Sequence, residues 1–193
     1  MPIIGPLVFL DTETTGLRPF TDHIWEVAAI IRDQDGNITE HQMFVEHDLA
    51  LVNELPEQYR QDHDNRYDPT RAIPATDAAH IINGWFAGRK HLVGANPAFD
   101  AAMITSLLNK TGGGTPGWAY HLIDVEALTV GRLQATGHII ELPWNSDQLA
   151  EASGLTMTNA DGTPRYQRHT ALDDTRWVYD WYNHLDTTAK GPQ

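Results

Sequence analysis

The stretch Leu7-Val8-Phe9-Leu10-Asp11-Thr12-Glu13-Thr14-Thr15-Gly16-Leu17 decides how the chain is read. Four apolar residues run without a break into two carboxylates, then into a Thr-Thr-Gly turn. Such a run reads as a strand buried on both faces. Asp11 and Glu13 are two positions apart, and residues i and i+2 of a strand point to the same side. The strand therefore ends by presenting two anionic side chains together at the edge of an apolar core. Their repulsion is costly unless a cation lies between them. A solvated strand end carrying two ordinary surface acids is the alternative, and this stretch alone does not separate the two.

The composition narrows the function classes. A length of 193 residues fits one domain, and a hydrophobic fraction of 41% is enough for a sizeable core. No apolar run is long enough to span a membrane. The opening Met1-Pro2-Ile3-Ile4-Gly5-Pro6 lacks the basic region and apolar stretch of a secretory signal. Cysteine is absent, so any metal must be held by oxygen or imidazole. The expected location is the cytoplasm. With 26 acids against 13 bases, the formal net charge is −13, which speaks against a general DNA-coating protein. It suits an enzyme whose carboxylates hold divalent cations. A polyanionic substrate would then need those cations, and a few placed Arg or Lys, to offset the overall repulsion.

Outward from the first strand, Ile24 to Arg32 is a second strand candidate and Ile38 to Val45 a third, joined by the Asp35-Gly36 turn into a hairpin. Trp25 is expected in the core. Glu26, an acid within that apolar run, is either paired within the sheet, the favoured reading, or close to the site. Asp48 to Ala75 is polar and broken by prolines, which suggests a short helix plus loop bordering a cleft. His63 lies there among acids, as a metal ligand or, preferred, as surface-loop composition. Thr76 or Asp77 can cap a helix to Phe86, and His91 to Ala95 is a short strand. Asn96-Pro97 places an N-cap residue before a proline at the first helical position, opening a helix that stops at Gly112-Gly113-Gly114. Tyr120 to Asp124 reads as another strand. Val125 to Ala135 and a shorter Ser146-capped segment to Ser153 read as helices, and a last helix starts near Thr170. Three early strands, then strands alternating with helices, predict an α/β fold: a mixed sheet, its first three strands antiparallel and the later ones parallel, flanked by helices.

Two later segments can supply partners for Asp11 and Glu13. Asp100 falls in the first turn of the Pro97 helix, where the helix dipole steadies a carboxylate, at the carboxyl end of a strand where sites gather in open α/β sheets. In His169-Thr170-Ala171-Leu172-Asp173-Asp174, Thr170 and Asp173 have a capping-box-like form. His169 then lies just outside the helix and Asp174 inside its first turns. A fixed acid behind a mobile histidine divides the labour between metal ligand and general base, since a neutral imidazole accepts a proton near neutral pH. Taken singly, each is also an ordinary loop histidine or helix-start acid.

Asp11-x-Glu13-Thr14-Thr15-Gly16-Leu17, then Asn96-x-x-Phe99-Asp100, then His169-x-Ala171-x-x-Asp174 resemble, in this order, the three motifs of the DEDDh 3′–5′ exonucleases. That family includes the proofreading epsilon subunit of bacterial DNA polymerase III, ribonuclease T and oligoribonuclease. The resemblance runs over residues 6–182 and implies a ribonuclease H-like fold, with 1–193 as a single exonuclease domain. It implies two divalent cations, Mg²⁺ or Mn²⁺: Asp11 bridging both, Glu13 and Asp174 holding the first, Asp100 serving the second through water, and His169 deprotonating the attacking water. Hard oxygen ligands suit those ions, and two of them about 3.5–4 Å apart stabilise the attacking and leaving oxygens of an in-line displacement. The resemblance also places the terminal nucleotide beside the Thr-Gly-Leu turn, with Thr14, Thr15 and Gly16 as donors to the 3′ end and Leu17 as an apolar wedge. Asn96 belongs to the second motif, and Phe99 either walls the pocket or is core. Ala95 stands where family members often carry a histidine, which puts local contacts in doubt. Asp173 adds one more acid near the site.

Arg168, with Arg165 and Arg176, is the candidate for phosphate contacts. Trp118, Tyr120 and Trp144 could stack bases, though packing accounts better for at least two of them. The reading is a metal-dependent exonuclease acting at 3′ ends of single-stranded or unpaired DNA. A 3′–5′ exoribonuclease is the near alternative, since the 2′-hydroxyl contacts an RNA enzyme needs are not identifiable from the sequence. A catalytically silent nucleic-acid-binding module and an endonuclease of the ribonuclease H type are the more distant ones. A replication polymerase is a conceivable partner. The short polar end from Asp186 to Gln193 favours a free-standing enzyme.

Overall fold

The first strand, β1 (Leu7–Thr14), runs through the middle of a five-stranded sheet in the computed structural model, which describes residues 5–188. The opening and closing segments considered above fall partly outside that range, at 1–4 and 189–193. The other strands are β2 (Ile24–Arg32), β3 (Ile38–Phe44), β4 (His91–Gly94) and β5 (Ile123–Asp124). Their order is β3-β2-β1-β4-β5; β1 pairs antiparallel with β2 and β2 with β3, while β4 runs parallel to β1 and β5 parallel to β4. This is the expected mixed sheet. The β2–β3 hairpin closes as anticipated: Asp33 Oδ1 accepts the amides of Asp35 and Asn37 at 2.9 and 2.8 Å, and Gly36 takes the positive φ of 86° that the tight turn requires.

Among the described residues seven helices complete the fold: α1 (Leu49–Val52), α2 (Glu57–Arg66), α3 (Ala75–Trp85), α4 (Pro97–Thr111), α5 (Val125–Ala135), α6 (Ser146–Ala152) and α7 (Ala171–Thr188). Because side chains of β1 alternate, the strand feeds two cores. Leu7 and Phe9 pack with Val125, Leu149, Trp177 and Trp181 of α5, α6 and α7. Val8 and Leu10 pack with Ala78, Ile82, Met103 and Ile104 of α3 and α4. Trp25 is buried as expected. Among the described residues, no helix is long and apolar enough to cross a membrane.

Several local expectations are corrected. The strand over Tyr120–Asp124 shrinks to Ile123–Asp124, because the His91 ring, not its backbone, meets the carbonyl of His121, at 3.0 Å, and the ladder starts only at Val93–Ile123. The polar stretch from Asp48 to Ala75 holds two helices; Asp48 caps α1 by accepting the Ala50 amide at 2.9 Å. His63 is a buried helical residue of α2, stacked on Tyr67 and edge-on to Trp25, with its Nε2 3.0 Å from that of His47. The cap of α3 is Pro74, whose carbonyl takes the amides of Asp77 and Ala78. Asn96 precedes Pro97 in a left-handed conformation (φ 58°) and makes no side-chain cap. Asn145, not Ser146, caps α6, accepting the Gln148 amide at 3.0 Å.

Candidate active site

The alternation of β1 aims its terminal acids. Asp11 and Glu13 share the phase of Leu7 and Phe9 and so point toward α7, while Thr12 shares the phase of Val8 and Leu10 and points toward α4. Thr12 donates its hydroxyl to Asp100 Oδ1 at 2.7 Å, in the first turn of α4. Asp174 stands in the first turn of α7. One oxygen each from Asp11, Glu13 and Asp174 can lie within 4.8 Å of the others, the one such cluster of potential metal ligands among the described residues. Asp100 lies outside it, yet close enough to Asp11 for the two charges to repel.

Burial and mutual repulsion leave these acids reluctant to ionise. Burial pushes Asp11 up to about 7 against the pull of Arg168. Burial and then the charge of Asp11 push Glu13 up to about 9. Asp100 rises well above the ordinary carboxylate range through burial and then Asp11, although the Thr12 hydroxyl opposes the rise. Buried carboxylates that repel one another and offer only hard oxygen ligands fit a Mg²⁺- or Mn²⁺-type ion, whose charge would reverse each of these shifts.

His169 precedes α7 in a left-handed conformation (φ 66°), exposed, its ring edge-on to Tyr59 of α2 with centroids 6.4 Å apart. The expected capping box is not formed. Thr170 donates its hydroxyl backward to the Gln167 carbonyl, Asp173 accepts the Gln167 amide, and Asp174 accepts the His169 amide at 2.9 Å. The two acids thus tie down the loop instead of capping the helix.

The substrate-side residues surround a cleft of about 620 Å³ reaching from Thr12 to Leu17 and walled by Tyr59 and Phe99. Thr14 donates its hydroxyl to the Gly16 carbonyl at 2.7 Å, so that proton is committed to the turn. Buried Thr15 accepts the His23 amide at 2.9 Å. A Cβ on Gly16 would sit 2.3 Å from Asp22 Oδ2, so the turn can close only around glycine. Leu17 is 81% exposed at the lip of the cleft. Phe99 plays both roles considered for it, lining the cleft and packing against the α3–α4 core. Asn96 is exposed, and Ala95 packs against the α5–α7 core.

Arginines read as phosphate contacts are occupied by acids. Arg168 bonds Asp174 and, at 3.0 Å, Asp147, with its guanidinium 3.7 Å over the Trp177 ring. Arg165 pairs with Asp180, and Arg176 with Glu40 and Asp173. Acids outnumbering bases two to one put a carboxylate within reach of each. Of the aromatics, Trp118 packs on Phe86, Trp144 donates its indole N–H to Glu126 at 2.8 Å, and Tyr120 is exposed.

Comparison with known proteins accounts for this arrangement. The exonuclease family represented by RNase T matches residues 8–182, a span that contains all three motifs. The chain belongs to that family. It is a DEDD-type 3′–5′ exonuclease domain with the ribonuclease H-like fold. Solved structures of exonuclease I share its fold. A zinc-bound complex of the E. coli enzyme with single-stranded DNA has a TM-score of 0.69 at 16% identity, over 99% of this chain and 42% of that one. Apo exonuclease I gives 0.67 at 18%, over 96% and 42%. The E. coli enzyme with a dT13 oligonucleotide gives 0.61 at 18%, over 95% and 41%. The chain therefore spans about two fifths of the length of these proteins. No curated protein matches it.

Within this exonuclease domain, α2 brings residues to the site that the motifs do not mention. Tyr59, Asp62 and Arg66, at i, i+3 and i+7, share the helix face toward the cleft. Arg66 reaches Glu13 at 3.7 Å, Asp62 at 2.6 Å and the carbonyl of His169 at 2.7 Å, and it also bonds Glu26. Both readings of Glu26 therefore hold: it is paired and it borders the site. Asp62-x-x-x-Arg66 is a helical i,i+4 pair, and Glu26 is an acid alone in an apolar strand; together these were the available sequence signals.

Proposed function

We propose that the chain removes nucleotides one at a time from the 3′ end of single-stranded or unpaired DNA by metal-dependent hydrolysis. The observation that carries the reading is the convergence of Asp11, Glu13 and Asp174, with Glu13 also lining the Thr12–Leu17 cleft. Two Mg²⁺ or Mn²⁺ ions held there would supply an activated water and neutralise charge on the leaving oxygen. Asp11, Glu13 and Asp174 would hold one ion, and Asp100 would serve the other together with Asp11. His169, anchored through its amide to Asp174, accepts the proton of the attacking water. Leu17 and Phe99 sandwich the terminal base, the Thr14–Gly16 turn meets the 3′ hydroxyl, and Asn96 borders the adjoining phosphate. A cation held by Asp174 would compete with Arg168 for that carboxylate, and Arg168 would then be available to a phosphate. E. coli exonuclease I has been solved in complex with single-stranded DNA and with dT13, which supports DNA as the polymer.

The test is degradation of 5′-labelled single-stranded DNA and RNA of one sequence, with Mg²⁺, Mn²⁺ or EDTA. A ladder shortening from the 3′ end of DNA, absent with EDTA and in Asp11→Ala, is expected. Faster loss of RNA would move the substrate to RNA. Internal cuts, or tight binding without cutting, would overturn the exonuclease reading of this chain.

A further inference from the structure

We propose that Arg66 of α2 is a positioning residue for the general base, holding the His169 peptide in its left-handed turn and so joining the wall of the substrate cleft to the catalytic loop. The inference rests on the proposed hydrolysis for its kinetic consequence, though not for its structural one.

The guanidinium of Arg66 is held on every side. Its Nε and Nη2 grip both oxygens of Asp62, at 3.0 and 2.6 Å, in the two-pronged geometry that a planar fork makes with a carboxylate. Its Nη1 bonds buried Glu26, whose other oxygen accepts the Gln42 amide group at 2.6 Å. Its central carbon lies 4.6 Å from the Trp25 ring centroid. With those anchors set, Nη2 also donates to the His169 carbonyl at 2.7 Å, from 103 residues away.

His169 needs such a hold. A non-glycine residue at φ 66° persists only where its surroundings over-determine it. Here the amide before the side chain goes to Asp174 and the carbonyl after it goes to Arg66. The imidazole is exposed and meets Tyr59 edge to face, so its direction is set by its backbone more than by packing. Tyr59 and Asp62 line the cleft while Arg66, one and two turns along the same face, holds the loop. The helix that walls the cleft thereby also sets where the base stands. Lysine could keep the charge near Glu26 but cannot reproduce the fork on Asp62 and the His169 carbonyl together.

The experiment compares Arg66→Gln and Arg66→Lys with wild type on a 5′-labelled single-stranded DNA in Mn²⁺. Removing glutamine-incompatible contacts to a base-bearing loop should lower kcat by about 100-fold with KM within about threefold, and lysine should recover part of it. In a His169→Ala background the same Arg66→Gln change should cost less than about threefold, because residues that act through one another are not additive. Multiplying losses in that background, or a kcat within threefold of wild type for Arg66→Gln alone, would overturn the proposal. Should uncompensated Glu26 unfold the single variant, Glu26→Gln with Arg66→Gln removes the stranded charge and carries the same comparison. Hydrogen–deuterium exchange gives a readout that needs no activity: peptides covering 166–172 should exchange faster in Arg66→Gln while those covering β1 do not. If wild type fails to shorten DNA from its 3′ end, the proposed function falls, and the exchange result still decides whether Arg66 holds the loop; unchanged exchange there sinks the positioning role.

Discussion

Glu13 and Glu26 face one another across the β1–β2 ladder, and their surroundings treat them in opposite ways. Glu26 is almost fully buried, yet every oxygen is used: Gln42 donates to one and Arg66 to the other. Glu13 is the more exposed of the two, but its nearest cation is the same Arg66 at 3.7 Å, and Asp11 stands on the same face of its strand. Burial alone therefore does not mark a functional acid. A carboxylate that the fold has already compensated is structural; one left next to another acid, sharing a single, more distant guanidinium already bonded to two other acids, calls for a further cation.

The largest expected effect separates the pair by activity. Glu13→Gln should lower kcat/KM on single-stranded DNA by about 10³-fold or more, since a lost ligand removes several kcal/mol of charge stabilisation at the reacting phosphate. Glu26→Gln retains a hydrogen-bonding side chain of the same shape and should lose less than about tenfold. Equal losses in the two variants, measured side by side at saturating Mn²⁺, would erase the distinction.

Stability should divide them the other way. Glu26→Ala leaves Arg66 and Gln42 facing a void in the sheet, and breaking a buried pair costs about 3 kcal/mol. In a domain of this size that lowers Tm by roughly 10 °C. Glu13→Gln in EDTA should leave Tm unchanged or raise it, because it removes a carboxyl that the metal-free fold must hold protonated. Thermal unfolding followed by circular dichroism checks both; a Glu13→Gln variant that melts below Glu26→Ala would reverse the assignment.

What could be read from sequence follows the range of the interactions involved. The β1 run, the Asp35-Gly36 hairpin and the Asn96-Pro97 opening of α4 were legible because period and turn chemistry act over a few residues. Asp11, Glu13, Asp100 and Asp174 were legible as a set only through their order along the chain; no local rule brings β1, α4 and α7 together. Helix α2 was legible only as a short helix somewhere within Asp48–Ala75, without bounds, because it has no apolar stripe: of Glu57–Arg66, only His63 is buried. Its stability comes from Trp25, Tyr67 and Glu26, partners outside the helix itself. The Thr170–Asp173 cap was misjudged for a related reason. The left-handed turn at His169 brings the Gln167 and His169 amides to Asp173 and Asp174, and this non-local geometry overrides the local capping pattern.

The smallest effect tests the electrostatics of the acids themselves, through pH. Glu13 is raised from 4.5 to about 9 and Asp11 from 3.8 to about 7, so the folded metal-free protein keeps protons that the unfolded chain gives up. Where the folded state binds more protons, stability falls as pH rises. The contribution of these two groups is present in full below about pH 4, declines through the window up to about pH 7 for Asp11 and about pH 9 for Glu13, and is gone above it. Comparing wild type with Glu13→Gln in EDTA cancels the titration of most other groups. Glu13→Gln should melt close to wild type at pH 5 and roughly 5 °C above it at pH 8.5. Saturating Mn²⁺ should reverse the order at the higher pH, because metal takes the deprotonated carboxylates and stabilises the state that binds it. A gap that stays constant from pH 5 to 8.5, with or without Mn²⁺, would mean that Glu13 is as well compensated as Glu26, and the contrast between the two acids would collapse.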